Sequence, residues 1–332
     1  MEFSEPLNIG TRQIRNKTFL APMSGVTDVP FRNLAWRFGA GAVVSEMVAS
    51  EALVCGQAEM EMKIGSSGSA DHIVQLAGRE ENWMRLAANM AVNNGADIID
   101  INMGCPAKRV TSGYSGSALM RDLDHAARLI EAVVSEVDVP VTLKMRLGWD
   151  DQSINAPKLA SRAEQLGVAM VTVHGRTRCQ FYKGRANWDA IKAVREEIAI
   201  PLVVNGDIAD NDTARSAVKA CAADGVMVGR AAYGAPWLPG QISGFLPKDA
   251  RINDPEFIAD VAIEHYEMML SFYGKEVGVK QARKHLSWYF ERIASAANDS
   301  LRKEIMTTIE PDRVISVFRR ASDLADEISE AA

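Results

Sequence analysis

No apolar run in this chain approaches the ~18 residues that a bilayer crossing needs, so a membrane-spanning helix is not expected. The opening residues, Met1-Glu2-Phe3-Ser4-Glu5, lack the basic start and apolar stretch of a secretory leader. Cysteine is scarce and scattered: Cys55, Cys105, Cys179 and Cys221 form no CxxC pair. They read as reduced thiols of a cytoplasmic protein, with no metal site. Excess positive charge is missing too. The formal net charge is −6, which withdraws bulk electrostatics as an argument for a nucleic-acid partner. A dinucleotide fingerprint is also lacking, because Gly39-Ala40-Gly41 follows a helical stretch and precedes a strand, the reverse of a Rossmann turn.

What is present is an ordinary globular composition, 47% apolar and 24% charged over 332 residues. That length accommodates an α/β barrel of about 250 residues and a smaller unit. Eight short β-branched or apolar runs recur, at residues 19–23, 42–47, 73–77, 98–103, 141–147, 170–174, 202–205 and 225–228. Amphipathic stretches separate them. Strand–helix alternation implies a parallel sheet, and eight units favour a closed (β/α)8 TIM barrel. Asp28 before Pro30, and Asp210, are candidate helix caps, and Gly39, Gly95 and Gly167 mark helix ends. Past Gly244 the pattern changes to helical spacing: Phe257, Val261, Tyr266, Met269 and Phe272, then Leu286, Tyr289, Phe290 and Ile293, then Val314, Val317, Phe318 and Leu324. The expected organisation is a catalytic barrel over residues 1–244 and a helical bundle over 245–332, whose last helix starts near Pro311.

Active sites of such barrels lie at the C-terminal ends of the strands. Polar residues interrupt the apolar runs there: Gln75, Lys144 and His174. Each alone could be a satisfied rim residue, since a buried lysine is costly without a polar partner. Three on three strands point to one shared ligand. The seventh and eighth strands end in Asn205-Gly206-Asp207 and Gly229-Arg230. Paired glycine turns at this place suit a phosphate, whereas either alone would pass for an ordinary βα turn. Cys105 differs from the other three cysteines, which read as small buried hydrophobes. It follows Asn102-Met103-Gly104, precedes Pro106 and opens a Gly/Ser-rich loop. A thiol near its ordinary pKa of about 8.5 is mostly protonated at neutral pH and can serve as an acid.

Four segments taken in order resemble the tRNA-dihydrouridine synthases: Ala21-Pro22-Met23-Ser24-Gly25-Val26-Thr27-Asp28, Asn102-Met103-Gly104-Cys105-Pro106-Ala107-Lys108, Leu143-Lys144-Met145-Arg146-Leu147-Gly148 and His174-Gly175-Arg176-Thr177-Arg178. The two glycine turns follow in the same order. The likeness covers roughly residues 6–325 and is nearest the bacterial B subgroup, once described as nitrogen-regulation-like proteins. It implies an FMN enzyme driven by NADPH. Hydride would pass to C6 of a tRNA uracil and a proton from Cys105 to C5, with uridine 17 of the D-loop as the position. It further implies that Pro22, Met23, Ser24, Gln75, Lys144 and His174 meet the flavin, and that Asn205, Gly206, Asp207, Gly229 and Arg230 meet its phosphate. Asn102 would hold the base. Two departures stand out: Tyr114 and Ser115 in a loop that relatives fill with glycine, and Ser24 where alanine is common.

The RNA partner must be reconciled with an acidic chain. Residues 245–332 hold 12 Lys/Arg against 16 Asp/Glu. Lys280, Arg283, Lys284 and Arg292 nevertheless follow helical spacing, and Lys108, Arg109, Arg176, Arg178 and Lys183 would surround the barrel mouth. Of these, Lys108, Arg176, Lys280 and Arg283 are taken as the RNA contacts, by local patches rather than net charge. Trp288, Tyr289 and Phe290 read as bundle core. Two other readings stay open: an FMN barrel reductase of small molecules, of dihydroorotate or enoate type, and a non-catalytic RNA-binding regulator on the same fold.

Overall fold

The computed structural model describes residues 2–68, 71–247, 250–293 and 299–330. The chain divides into two compact units. One comprises Met1–Ala231 with Leu238–Phe245, the other Ala232–Trp237 with Leu246–Ala332. The short segment Ala232–Trp237 clusters with the second unit.

The first unit opens with an antiparallel hairpin, β1 (Leu7–Ile9) and β2 (Arg12–Ile14). Nine parallel strands follow: β3 (Thr18–Leu20), β4 (Ala42–Val43), β5 (Val48–Ala49), β6 (Ile73–Ala77), β7 (Ile98–Met103), β8 (Val141–Arg146), β9 (Met170–His174), β10 (Leu202–Asn205) and β11 (Gly225–Val228). Their order is β4-β3-β11-β10-β9-β8-β7-β6-β5, and a parallel bridge from Val44 to Ile73 joins β4 to β6. β4 and β5 are therefore two halves of one strand position, and the sheet closes as a (β/α)8 barrel.

The helices between strands begin and end where local chemistry tells them to. The Asp28 carboxylate accepts the Phe31 N–H at 3.0 Å ahead of helix Val29–Arg37, which buries Phe31, Leu34 and Ala35. Asp210 and Thr213 form a reciprocal capping box on helix Asn211–Cys221. Gly39, Gly95 and Gly167 end their helices with positive φ.

Three strand boundaries differ from the sequence pattern, each for a hydrogen-bonding reason. The first strand stops at Leu20 rather than residue 23: Ala21 still donates to Val228 O, but Pro22 has no N–H to continue the ladder. The run 42–47 breaks because side chains take over the ladder's bonds. Ser45 Oγ accepts the Gln75 N–H at 2.9 Å, and Glu46 Oε1 accepts the Gly25 N–H at 2.5 Å. The fifth expected run ends at Arg146, one residue early, where Leu147 N–H turns to Arg176 O. The β1–β2 hairpin was not expected at all. Its Leu7, Ile9 and Ile14 join Phe19, Ala42, Ile73, Ile98, Met170 and Val203, early residues of the barrel strands, in one buried cluster. Each such aliphatic side chain contributes about 2 kcal/mol of burial, so the hairpin plugs the end of the barrel opposite the site.

The second unit is helical, and its described residues contain no strand. Helices Pro255–Tyr273, Lys275–Ile293, Asp299–Thr307 and Pro311–Glu330 make it up, the last starting at Pro311 as the pattern implied. Val261, Tyr266, Met269, Leu286, Tyr289, Phe290, Ile293, Val314, Val317 and Phe318 are buried. Phe257 and Phe272 are only half-buried, and Leu324 is exposed. Trp288 lies half-buried, stacked on Tyr233 at 4.0 Å between ring centroids. Gly234, at φ +61, lets the backbone pass under Trp288, where a Cβ would meet its carbonyl oxygen at 2.6 Å.

Candidate active site

Strand register gathers the polar residues at the C-terminal ends. Gln75 of β6 lies opposite Asp100 of β7, Asn102 opposite Lys144 of β8, Arg146 opposite His174 of β9, and His174 opposite Asn205 of β10. Period-2 alternation places Asp100 and Asn102 on one face of β7, and Thr142, Lys144 and Arg146 on one face of β8. A polar residue at every second position of an otherwise apolar strand was the signal for Asp100, Thr142 and Arg146, which the sequence reading passed over.

These side chains are wired together. Asp100, buried, accepts from Thr142 Oγ1 and from Gln75 Nε2, both at 2.6 Å. Gln75 Oε1 accepts from Asn102 Nδ2 at 2.7 Å, and Asn102 Oδ1 accepts the backbone N–H groups of Gly104 (3.2 Å) and Cys105 (3.0 Å). The Cys105 carbonyl is held from the other side by Ser117, through N–H (3.1 Å) and Oγ (2.8 Å). Gly116, at φ +61, is needed there because a Cβ would come within 2.9 Å of that carbonyl. Cys105 is thus a half-buried thiol on a backbone pinned at both ends. Tyr114, further along this loop, is exposed with φ +57.

The electrostatics follow from burial. The Asp100 carboxyl is pushed up to about 6 by loss of solvent, against the hydrogen bonds of Gln75 and Thr142 and the charge of Lys144. The Lys144 ammonium is brought down to about 8, by burial first and the neighbouring Arg146 charge second. Its Nζ donates to Asn205 Oδ1 at 3.1 Å, and Asn205 Nδ2 donates to Met227 O at 2.8 Å. Burial, then the charges of Arg146, Lys144, Arg176 and Arg230, hold His174 well below the usual imidazole range, so it is neutral at pH 7. Arg146 is spent on three carbonyls, Gly104, Thr177 and Phe181, each at 2.8 Å. It thereby ties the cysteine loop to the loop after β9.

Three assignments need correction. Arg176, expected at the RNA surface, is 1% exposed. Its guanidinium donates to both Asp207 oxygens (2.9 and 2.7 Å), Lys183 O and Gly184 O, so it organises a loop and cannot reach a solvent phosphate. Asp207, in the expected phosphate turn, puts its carboxylate on Arg176 and on the Ala186 N–H at 2.7 Å, and its backbone is left to that turn. Arg292 drops out of the basic stripe, for its guanidinium caps Tyr233 O at 3.2 and 3.3 Å. Of the three cysteines read as buried, only Cys221 is; Cys55 and Cys179 are exposed.

The other expected residues fall as follows. Pro22 and Met23 are half-buried and Ser24 exposed, on a turn in which Val26 and Thr27 N–H groups bond to Met23 O. Gly206, at φ +112, brings the β10 turn against His174, where a Cβ would sit 2.7 Å from Cδ2. Arg230 is exposed with its guanidinium 4.7 Å from the Tyr182 ring centroid. Lys108 and Lys280 are exposed, whereas Arg283 is half-buried. No cluster of three or more metal-ligating side chains occurs among the described residues.

Two features fit a planar, anionic cofactor. The Lys144 ammonium has three donors and, among the described residues, Asn205 Oδ1 as its side-chain acceptor, so a half-buried cation keeps hydrogen-bonding capacity for an electron-rich ring. At the end of β11, a Cβ on Gly229 would meet nothing nearer than Asn205 Nδ2 at 4.0 Å, which leaves open space at the start of the following turn.

Barrel, half-buried cation and pinned thiol define the class, a (β/α)8-barrel oxidoreductase. Solved structures of similar fold are an old yellow enzyme homologue from Zymomonas mobilis (16% identity, TM-score 0.54, covering 74% of this chain and 94% of that one) and morphinone reductase (16%, 0.52, 73% and 90%). The family model for Dihydrouridine synthase (Dus) matches residues 19–328. A "Probable tRNA-dihydrouridine synthase" of Rhizobium leguminosarum bv. phaseoli is 57% identical over 310 residues, covering 93% of this chain and 96% of the relative. A "tRNA-dihydrouridine synthase B" of Xanthomonas campestris pv. campestris is 45% identical over 286 residues, covering 85% and 86%. The chain belongs to the dihydrouridine synthase family and is a flavin-dependent enzyme.

Proposed function

We propose that this dihydrouridine synthase carries FMN, draws electrons from NADPH, and reduces the C5–C6 double bond of a D-loop uridine in tRNA, at position 17, in the cytoplasm. The observation that carries the reading is the placement of Cys105. Its backbone is fixed by Asn102 and Ser117, and the half-buried Lys144 of β8, next to β7, is bonded to Asn205 of β10, beyond β9. When bound, the flavin supplies the hydride for C6 of uracil. Cys105 Sγ holds the proton that C5 receives, and loop pinning keeps that thiol in reach. Lys144 presents positive charge to the ring, while neutral His174 adds none. Pro22, Met23, Ser24 and Gln75 complete the ring contacts, and Asn205, Gly206, Gly229 and Arg230 the phosphate site. Asn102 keeps a second amide N–H for a carbonyl of the base. Exposed Lys108 and Lys280, with Arg283 in support, meet the RNA backbone.

Cys105→Ala tests this directly. FMN retention and reduction by NADPH should stay near wild type, while reoxidation by tRNA slows about 100-fold or more, the scale of a lost general acid. A Cys105→Ala enzyme that reduces tRNA at the wild-type rate would exclude the mechanism. Lys108→Ala with Lys280→Ala should raise the tRNA concentration required and leave NADPH oxidation intact. Position is checked by mapping dihydrouridine in tRNA from cells lacking the protein, where position 17 alone should revert to uridine.

A further inference from the structure

We infer that Asp100 is a positioning residue whose carboxylate sets the direction of a buried amide chain ending on the backbone of Cys105. The inference rests on Cys105 being the proton donor, and its test is arranged so that the two can fail separately.

The direction of the chain follows from donors and acceptors. An ionised carboxylate only accepts. With Thr142 Oγ1 on one oxygen of Asp100, Gln75 must bring its Nε2 to the other. That turns Gln75 Oε1 toward Asn102, which can answer only with Nδ2. Asn102 Oδ1 is then left for the N–H groups of Gly104 and Cys105. A primary amide has nearly the same shape either way round, so packing does not choose between its two orientations. The termini choose: an acceptor at residue 100 and backbone donors at 104 and 105. A side chain at 100 that offered a donor to Gln75 would break the chain at one link, leaving two donors or two acceptors face to face.

The same geometry explains why a carboxylate is kept in a buried place where it is costly. Asp100 is buried on β7 and touches the reacting thiol nowhere; it acts two amides away. Ser117 fixes the carbonyl of Cys105 without help from this chain, so the Asp100 branch controls the amide side alone. Loss of that branch should loosen the thiol and leave the barrel closed.

The test uses the full-length, flavin-loaded protein with Asp100→Ala and Asp100→Asn. The asparagine can still accept from Gln75 through Oδ1 while its Nδ2 faces the Thr142 hydroxyl. Asp100→Ala should slow reoxidation by tRNA about tenfold or more, with flavin reduction by NADPH within about twofold. Alkylation of Cys105 by iodoacetamide, followed by peptide mass spectrometry without tRNA, should change with it. Asp100→Asn should restore both readouts to within about threefold of wild type, the scale of one neutral hydrogen bond. Equal losses in the two variants, or none in either, would overturn the inference. Should Asp100→Ala not fold, a second pair decides. Gln75→Glu sets two carboxylates against each other and should lower the melting temperature. Gln75→Glu with Asp100→Asn restores every link with the charge moved, and should recover both melting temperature and alkylation rate; no recovery would sink the proposal. The alkylation readout does not depend on catalysis. A Cys105→Ala enzyme that still reduces tRNA would therefore remove the proton-donor role and leave the positioning result standing.

Discussion

Burial beside Arg146 brings the Lys144 ammonium down to about 8, so its charge is present at neutral pH and is lost as pH rises through that value. Any step that relies on this charge should hold steady below pH 8 and decline above it. The expected result is flavin reduction that falls on the alkaline side in wild type, with Lys144→Met slow at all pH values and lacking that limb. An unchanged alkaline limb in Lys144→Met would assign it to another group. Arg176 poses a different problem at this scale, because its charge is fully enclosed while Asp207 is one-third exposed. Removing the partner strands a buried guanidinium, a loss of roughly 3 kcal/mol that the two remaining carbonyl contacts reduce only in part. Asp207→Ala should therefore lower the denaturation midpoint clearly, where Asp212→Ala on the exposed helix start should not. From sequence, an arginine in His174-Gly175-Arg176 near a barrel mouth looks like an RNA contact. Only the carbonyls of Lys183 and Gly184, brought back by a loop, show where its donors go.

Among elements, the β10 turn is the most constrained. Gly206 has φ +112, a region that costs other residues about 1–3 kcal/mol, and His174 fills the space where its Cβ would be. Gly206→Ala should push the imidazole aside, weaken flavin retention and lower stability, measurable by flavin fluorescence and thermal melting in one sample. This turn was legible, since Asn-Gly-Asp after an apolar run is a turn by composition. The break between β4 and β5 was not. Ser45 and Glu46 interrupt the apolar run, but nothing local shows that they will bond to Gln75 and Gly25 instead of continuing a ladder. The β1–β2 hairpin escaped for a similar reason: two strands of three residues are too short to show a period.

For the molecule as two units, acid should weaken the helical one through two buried histidines. Its His265 is held down to about 3 by burial, and His285 well below the usual range by burial and by His265. The rings lie 4.7 Å apart, and His265 Nδ1 is 3.2 Å from the Tyr289 hydroxyl. Both are neutral when folded and titrate near 6.5 when unfolded, so the stability they confer is full above that value and is lost as pH falls below it. At pH 5 the loss from His265 is roughly 2 kcal/mol. Thermal melts should show a midpoint that falls between pH 6.5 and 5. His265→Phe should flatten that slope by about half. A midpoint independent of pH over this range would mean that the histidines are not buried neutral.

The sequence by itself determined the alternation of strand and helix, the change to an all-helical part after Gly244, and the ordered motifs by which the family is recognised. These depend on period, composition and caps, which are local and survive in one dimension. Tertiary structure alone decided which polar groups meet. Gln75 and Asp100, 25 residues apart, meet by strand register, and Lys144 and Asn205, 61 apart, meet across the intervening β9. Whether a buried charge serves a ligand or a neighbouring loop is settled by the position of its counter-group. The chain sets that position only when the barrel closes, so Lys144 keeps donors for the site while Arg176 is used up inside the fold.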